Sequence, residues 1–232
     1  FMGLAGPTCA SEAAYGLRML KNLGSQYYYN ALAAELTGIF WSYGRMLGKQ
    51  YLGTIPDDHQ TDMLMIVGWN PWMSHQMPQA RRFLQKFSKD PDKLLVVIDP
   101  RRSETAEKAD IYLPIRPGTD ALFTRAMIAI IFQEGWQNQE YIDLYTGGLE
   151  QIKPWFIDFD VHEACRVCGL EYDVVKEVAH LFATRKSSLH QDLGVLMNRH
   201  STLTTYLQNI LLAICGRLLV PGGNVVPSSL VP

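Results

Sequence analysis

The sequence predicts an α/β fold of three layers, a parallel β-sheet with helices on both faces. Three observations carry the prediction. The runs Met63–Val67 (MLMIV), Leu94–Ile98 (LLVVI) and 111–115 (IYLPI) are short, almost continuously apolar and bounded by turn residues, as strands buried on both faces are. Segments of helical periodicity alternate with them, which calls for parallel strands joined by crossover helices. With 232 residues, 47% of them hydrophobic and 19% charged, the chain has the apolar material for one such domain, taken as residues 1–232.

Each element has its own signal. Ser11 and Glu12, followed by Ala14, Leu17 and Leu20 on one stripe, predict a capped helix closed near Gly24. A second helix is expected over 31–47. The turn-rich link GTIPDDHQTD leads into strand Met63–Val67, which GWNPW stops at once. Helical spacing returns over 76–87, KDPDK punctuates, and strand Leu94–Ile98 follows. After 111–115, Asp120 is placed to cap a long helix that Gly135 ends. A helix over 171–184, a strand and turn in SSLHQDLGVLM and a helix over 202–219 complete the chain.

Composition removes several classes of function. A net charge of -2 supplies no basic surface for a nucleic acid. The most apolar stretch, 206–220, is too short to span a membrane and carries Gln208, Asn209 and Arg217. Four scattered cysteines are too few for a disulfide framework, so reduced thiols are expected. Cys165 and Cys168 form a C-x-x-C without a second pair or a histidine at finger spacing, which reads as a coincidence of helix sequence rather than a metal site. A cytoplasmic location is favoured over a periplasmic one, which stays open because the chain reads as a fragment lacking its true N-terminus.

Ligands of open parallel sheets bind beyond the carboxyl ends of the strands, and three loops there carry suggestive chemistry. After Met63–Val67, Gly68 lets backbone approach a ligand and Asn70-Pro71 fixes a turn whose amides can face a phosphate; Asn-Pro turns are also common structural punctuation. After Leu94–Ile98 comes DPRRS, in which Asp99 is placed to accept from ribose hydroxyls while Arg101 or Arg102 pairs with phosphate. The plainer reading is an Asp-Pro turn with solvated arginines. In RPGTD, Gly118 and Thr119 expose amides, and Asp120 is either a helix cap or a carboxylate accepting two N–H donors from a guanine edge. Neither G-x-G-x-x-G nor G-x-x-x-x-G-K-[ST] follows any strand, so a conventional NAD site and a P-loop are both poorly supported.

These segments, IVGWNP, VVIDPRRSETAEKADIYLPIRPGTDAL, GVLM and CGRLLVPGGNV, in this order resemble the central domain of the molybdopterin oxidoreductases, the dimethyl sulfoxide reductase family that includes formate dehydrogenases and nitrate reductases. The resemblance covers most of the chain, and DPR-x-x-x-T-x-x-x-A-D-x-x-L-x-x-R-P-G-T-D is its most specific part. It implies a Rossmann-like domain binding one molybdopterin guanine dinucleotide of a bis-cofactor that holds molybdenum or tungsten. Gly68, Trp69, Asn70 and Pro71 would lie along the pyrophosphate and nucleoside. Asp99, Pro100, Arg101 and Ser103 would meet the guanosine end, and Gly118, Thr119 and Asp120 would read guanine. Leu193, Gly194 and Met197 would approach the pterin, with strand-end packing as their alternative.

The chain departs from the family at two points. The residue that usually ligates the metal falls at Ala31, beside Asn30, and alanine offers no ligand; Asn30 or Glu35 would have to serve, or the metal would have no protein ligand. The four-cysteine iron–sulfur region and the C-terminal cofactor domain of the family lie outside these 232 residues. The resemblance therefore implies an excised domain, inactive alone, whose partners are the remaining domains of its enzyme and an electron-transfer subunit. The alternative is a non-catalytic scaffold, as in the large subunit of NADH dehydrogenase. His75, His190 and His200 are candidate residues of a substrate funnel, although lone histidines are more often structural.

Overall fold

The structure is a computed structural model that describes residues 2–4, 10–30, 32–50, 52–74, 77 and 79–226. In chain order the elements are β1 (Met2–Leu4), α1 (Ala10–Asn22), β2 (Tyr28–Asn30), α2 (Leu32–Glu35), α3 (Thr37–Met46), β3 (Ile55–Pro56), β4 (Met63–Val67), α4 (Ala80–Phe87), β5 (Leu94–Ile98) and β6 (Ile111–Leu113). They continue with α5 (Asp120–Gln133), α6 (Gln139–Tyr145), α7 (Leu149–Ile152), α8 (Pro154–Ile157), α9 (Val161–Cys168), α10 (Tyr172–Thr184), β7 (Ser187–Gln191), α11 (Leu193–Leu196), α12 (Ser201–Ile214) and β8 (Asn224–Val225).

Four parallel strands form the central sheet in the order β6-β5-β4-β7. Alternation along the strands builds the two outer layers. Leu64, Ile66, Leu95 and Val97 point to one face, where they meet Leu84 and Phe87 of α4. Met63, Met65, Val67, Val96 and Ile98 point to the other, against α5, α9, α10 and α12. Helix α5 lies in the middle of that layer, buried on almost every side, which explains why its sequence is apolar all round.

Register aligns the strand ends: Val67 pairs with Ile98 and with Gln191, and Ile98 pairs with Leu113. The residues that follow, Gly68, Asp99, Pro114 and Asp192, therefore leave the sheet along one edge.

Strand β7 is an edge strand, and its free side is closed by a side chain. The buried Asn224 donates to the Leu189 carbonyl at 2.8 Å and accepts from the Leu189 N–H at 2.9 Å, copying a strand's pairing with one amide. Leucine at this position leaves both backbone groups buried without a partner. Asn224→Leu should therefore lower stability by about 2 kcal/mol, read as a drop in the urea midpoint.

Several expected boundaries move. The helix expected over 31–47 is two helices interrupted at Leu36, after which Gly38 packs α3 against α12: a Cβ there would lie 3.1 Å from the Thr202 nitrogen. The helix expected over 76–87 starts at Ala80, after Gln79 in the left-handed region at φ 53°. Helix α12 stops at Ile214, short of 219, because Gly216 at φ 65° ends it. Asp120 is the first residue of α5 rather than its cap; Thr119 takes the cap position, and its hydroxyl donates to the Arg116 carbonyl at 2.7 Å.

Candidate functional site

The loop after β4 is fixed from both sides by backbone. The Gly68 N–H donates to the Ile98 carbonyl at 2.9 Å, and the Gly68 carbonyl accepts from the Gly194 N–H at 3.1 Å. Gly68 lies at φ 58°, and a Cβ on it would meet the Val195 nitrogen at 2.9 Å. A Cβ on Gly194 would meet the Gly68 carbonyl carbon at 2.9 Å and collide with its oxygen. The close approach that Gly68 permits is thus to the 194–195 backbone, and it brings the loops after β4 and β7 together.

Asn70 knits this loop to the one after β5. Its Oδ1 accepts from the Thr105 hydroxyl at 2.7 Å and from the Thr105 N–H at 3.3 Å, and its Nδ2 donates to Glu104 Oε2 at 2.7 Å. The Trp72 N–H donates to Thr105 Oγ1 at 3.2 Å, and the Met73 and Ser74 amides bond back to the Asn70 carbonyl. The amides of this turn are therefore largely engaged within the protein, and Pro71 is buried. Removing the Asn70 side chain strands the buried Thr105 amide, so Asn70→Ala should cost about 1–2 kcal/mol. Faster hydrogen exchange at the Thr105 amide would report it.

Trp69 is buried and packs on the His190 ring with centroids 4.1 Å apart. Burial lowers the His190 pKa to about 4, so the imidazole is neutral at physiological pH.

Asp99 opens the second loop and bonds the Arg101 N–H at 2.8 Å in an Asx turn. Burial raises its pKa, against the lowering effect of the Arg101 amide and guanidinium. Pro100, Arg101 and Arg102 are exposed. Ser103 is buried, and its hydroxyl accepts from the Ala106 N–H at 3.3 Å, so it serves the turn that follows. Glu104 faces both Asn70 and Arg101, the latter at 3.5 Å.

Asp120 is 7% exposed, and its Oδ2 accepts from Asn198 Nδ2 at 2.8 Å. Burial raises its pKa; the Asn198 bond opposes this, and the Asp99 charge adds to it. The Asp99 charge is therefore felt at Asp120 across the edge. Beside them Gly118, at φ 82°, faces open space, and a cleft of about 470 Å³ opens past Gly118 and Thr119 between Arg125, Trp155, His200 and Leu203. A larger cavity of about 750 Å³, walled by Met46, Tyr141, Tyr145, Tyr206 and Leu218, contains no carboxylate and no residue of the strand-end loops.

The structure thus gathers Gly68, Trp69, Asn70, Asp99, Arg101, Gly118, Thr119 and Asp120 along one edge, with Leu193, Gly194 and Met197 on the fourth loop. Met197 is exposed and Leu193 half-buried. Ala31 and His75 lie outside the described residues. Among the described residues no group of three or more His, Cys, Asp or Glu is placed to hold a metal ion. Cys165 and Cys168 are buried free thiols, and burial pushes Cys165 up to about 11.

Sequence reasoning gave no role to Thr105, Glu104 or Asn198. Thr105 stands in the quoted motif as the first of its two threonines, a signal that was present. Asn198 follows Met197 directly, but nothing local ties it to a residue 78 positions away. Arg116 of the same motif is structural: its guanidinium donates to the Arg166 and Val167 carbonyls at the end of α9.

The family model described as molybdopterin oxidoreductase matches residues 1–210. The chain is 29% identical over 191 residues to the F420-dependent formate dehydrogenase subunit alpha of Methanocaldococcus jannaschii, covering 82% of this chain and 27% of that protein. It is 31% identical over 143 residues to the acetylene hydratase of Syntrophotalea acetylenica, covering 58% and 20%. With the nitrate reductase of Symbiobacterium thermophilum it shares 25% over 206 residues, covering 83% and 26%. The solved acetylene hydratase from Pelobacter acetylenicus superposes with a TM-score of 0.76 at 24% identity, covering 93% of this chain and 29% of that one, which shows the common fold. The chain spans about a quarter of the length of these relatives. No described helix is long and apolar enough to cross a membrane. A family match over most of the chain, on a sheet edge of this construction, makes the chain a member of the molybdopterin oxidoreductase family.

Proposed function

We propose that the chain is the guanine-dinucleotide half-site of a molybdenum or tungsten oxidoreductase of the formate dehydrogenase or nitrate reductase kind. The observation that carries this reading is the pair of partly desolvated carboxylates, Asp99 directly after β5 and Asp120 at the start of α5, beyond the loop that follows β6. A guanine presents two N–H donors on one edge, and a carboxylate is the side chain that accepts from both. Asp120 takes the base, Asp99 the ribose hydroxyls, and the exposed Arg101 and Arg102 the phosphates. Gly118 leaves room for the base, and the fourth loop, with Leu193, Gly194 and Met197, faces the pterin.

When bound, the metal carries the redox step, and the protein supplies binding, orientation and electrostatics. With alanine at position 31, either Asn30 or Glu35 would hold the metal, or it would have no ligand from this chain. An iron–sulfur cluster and an electron-transfer partner belong, in this reading, to the rest of the enzyme. The relatives' names include a dehydrogenase, a reductase and a hydratase, so the half-site is a shared element that leaves the substrate to other parts.

The test is the full-length protein purified from a host that makes the cofactor. Acid release of a guanine nucleotide, with molybdenum or tungsten by elemental analysis, is the expected result. A folded protein with neither would favour the second reading, a non-catalytic scaffold, to which Ala31 points.

A further inference from the structure

Asp120, the carboxylate assigned to the base, is held by a side chain from the opposite edge of the sheet. The loop that leads to Asp120 follows β6, one edge strand, whereas Asn198 lies in the loop after β7, the other edge strand. Asn198 Nδ2 donates to Asp120 Oδ2 at 2.8 Å, closing a clasp over the strand ends between them.

Asn198 is itself fixed before it reaches Asp120. Its N–H donates to the Val195 carbonyl at 3.2 Å, its carbonyl accepts from the Ser201 N–H at 3.2 Å, and its Oδ1 accepts from the His200 N–H at 2.9 Å. A backbone N–H can only donate, so Oδ1 must face His200 and the NH₂ must face Asp120. The turn that opens α12 therefore sets the orientation of this amide.

The bond acts on a carboxylate that is 7% exposed. Burial disfavours the charged form of Asp120, and the Asn198 bond works against burial by favouring that form. A charge-assisted bond fixes direction as well as charge. It occupies one of about four acceptor positions on the carboxylate, which leaves enough for the two N–H donors of guanine. The titratable groups that face Asp120 from other elements are Asp99, after β5, and Cys168, at the end of α9. Asp99 when ionised has no proton to donate, and the Cys168 thiol, pushed up by burial, donates to the Thr119 carbonyl at 3.7 Å. Among the described residues, Asn198 is thus the side-chain donor to Asp120.

We propose that Asn198 is a positioning residue for base recognition, which holds Asp120 as an oriented anion and ties the guanine end of the half-site to the loop that faces the pterin. This inference rests on the assignment of Asp120 to guanine. It makes the two ends of the half-site interdependent, because the turn that follows Met197 carries the amide that aims Asp120.

The test is nucleotide titration of the full-length protein, purified from a host that cannot make the cofactor, with GDP and ADP as probes. ADP shares the ribose and diphosphate and differs in the base, so it reports on every contact except the one at issue. Asn198→Asp is the informative variant. Its carboxylate still accepts from the His200 N–H, so the turn survives, while a second negative charge replaces the donor to Asp120. GDP affinity should fall about tenfold with ADP affinity unchanged, and the acid-side loss of GDP affinity should begin at a higher pH than in the native protein. Asn198→Ala, which adds no charge, should weaken GDP alone by at least about threefold. Equal losses for both nucleotides, or native discrimination with a native pH profile, reduce Asn198 to a turn residue and overturn the proposal. A native protein that binds GDP no better than ADP instead overturns the assignment of Asp120 to the base, and the positioning role falls with it.

Discussion

Asp120→Asn lowers the affinity of the apo-protein for GDP roughly 100-fold and leaves the fold intact. Hydrogen bonds to a charged acceptor are worth about 1.5–3 kcal/mol each, and the substitution removes the charge and one of the two acceptor oxygens. The remaining amide oxygen is drawn to Asn198, whose Nδ2 sits 2.8 Å from Oδ2 in the native chain. That leaves an NH₂ facing the donors of the base, and a combined loss of about 3 kcal/mol corresponds to the stated factor. Isothermal titration measures it, with circular dichroism as the check on folding.

The same substitution separates two roles for Asp120. Its pKa is raised by burial, so the ionised carboxylate costs the fold something near neutral pH. As the first residue of α5 it also gains from the positive end of the helix, worth about 0.3–1 kcal/mol. These effects oppose each other, and asparagine is as good a residue as aspartate at a helix start, so stability should hardly change. The sign of the pH dependence follows from the raised pKa. Binding needs the ionised form, so affinity falls on acidification at a pH above that of an ordinary carboxylate near 3.8. In the asparagine variant this acid-side loss should be weaker, leaving the Asp99 contribution.

Gly194→Ala should destabilise the protein by about 3 kcal/mol, at the upper end of the usual cost of overpacking. The added methyl has no space: the Gly68 carbon and Cα each lie 2.9 Å from it, and the carbonyl oxygen is nearer still. Both neighbours are backbone, so no side chain can rotate away. Relief requires the loop after β7 to move off the loop after β4, which breaks the Gly194 N–H bond to the Gly68 carbonyl. Gly118→Ala provides the contrast, because a Cβ there meets nothing within 4 Å and pays only for its positive φ. Chemical denaturation of the two variants ranks them, and a smaller loss for Gly194→Ala would refute the close-packing argument.

Strands β4 and β5 were legible to the residue because continuous apolar runs of five, stopped by Gly or Asp, have few other uses in an α/β chain, whereas β6, expected over 111–115, ends at Leu113 before Pro114. The helix ends were less so. Nothing in ALAAELTGIFWSYGRML announces an interruption at Leu36, since its residues are compatible with helix throughout, and the break coincides with a long-range contact between Gly38 and Thr202. At the site the same division holds. Asp99, Gly118 and Asp120 stood out because proline, glycine and an acid at a strand end are conspicuous locally. Asn70 was picked for a ligand, yet the structure uses its side chain to tie two loops, and Thr105 and Asn198 act only through partners 35 and 78 residues away. Pairings of that kind exist only once the sheet has aligned its strand ends.

The central claim is that this edge reads guanine rather than any nucleotide, and parallel titrations of the apo-protein with GDP and ADP test it most directly. Adenine offers an acceptor where guanine offers its ring N–H, so a carboxylate at Asp120 discriminates against it. GDP binding at least about tenfold tighter than ADP, a difference of about 1.4 kcal/mol, is the predicted result. Equal affinities, or none for either, would contradict the assignment of Asp120 to the base.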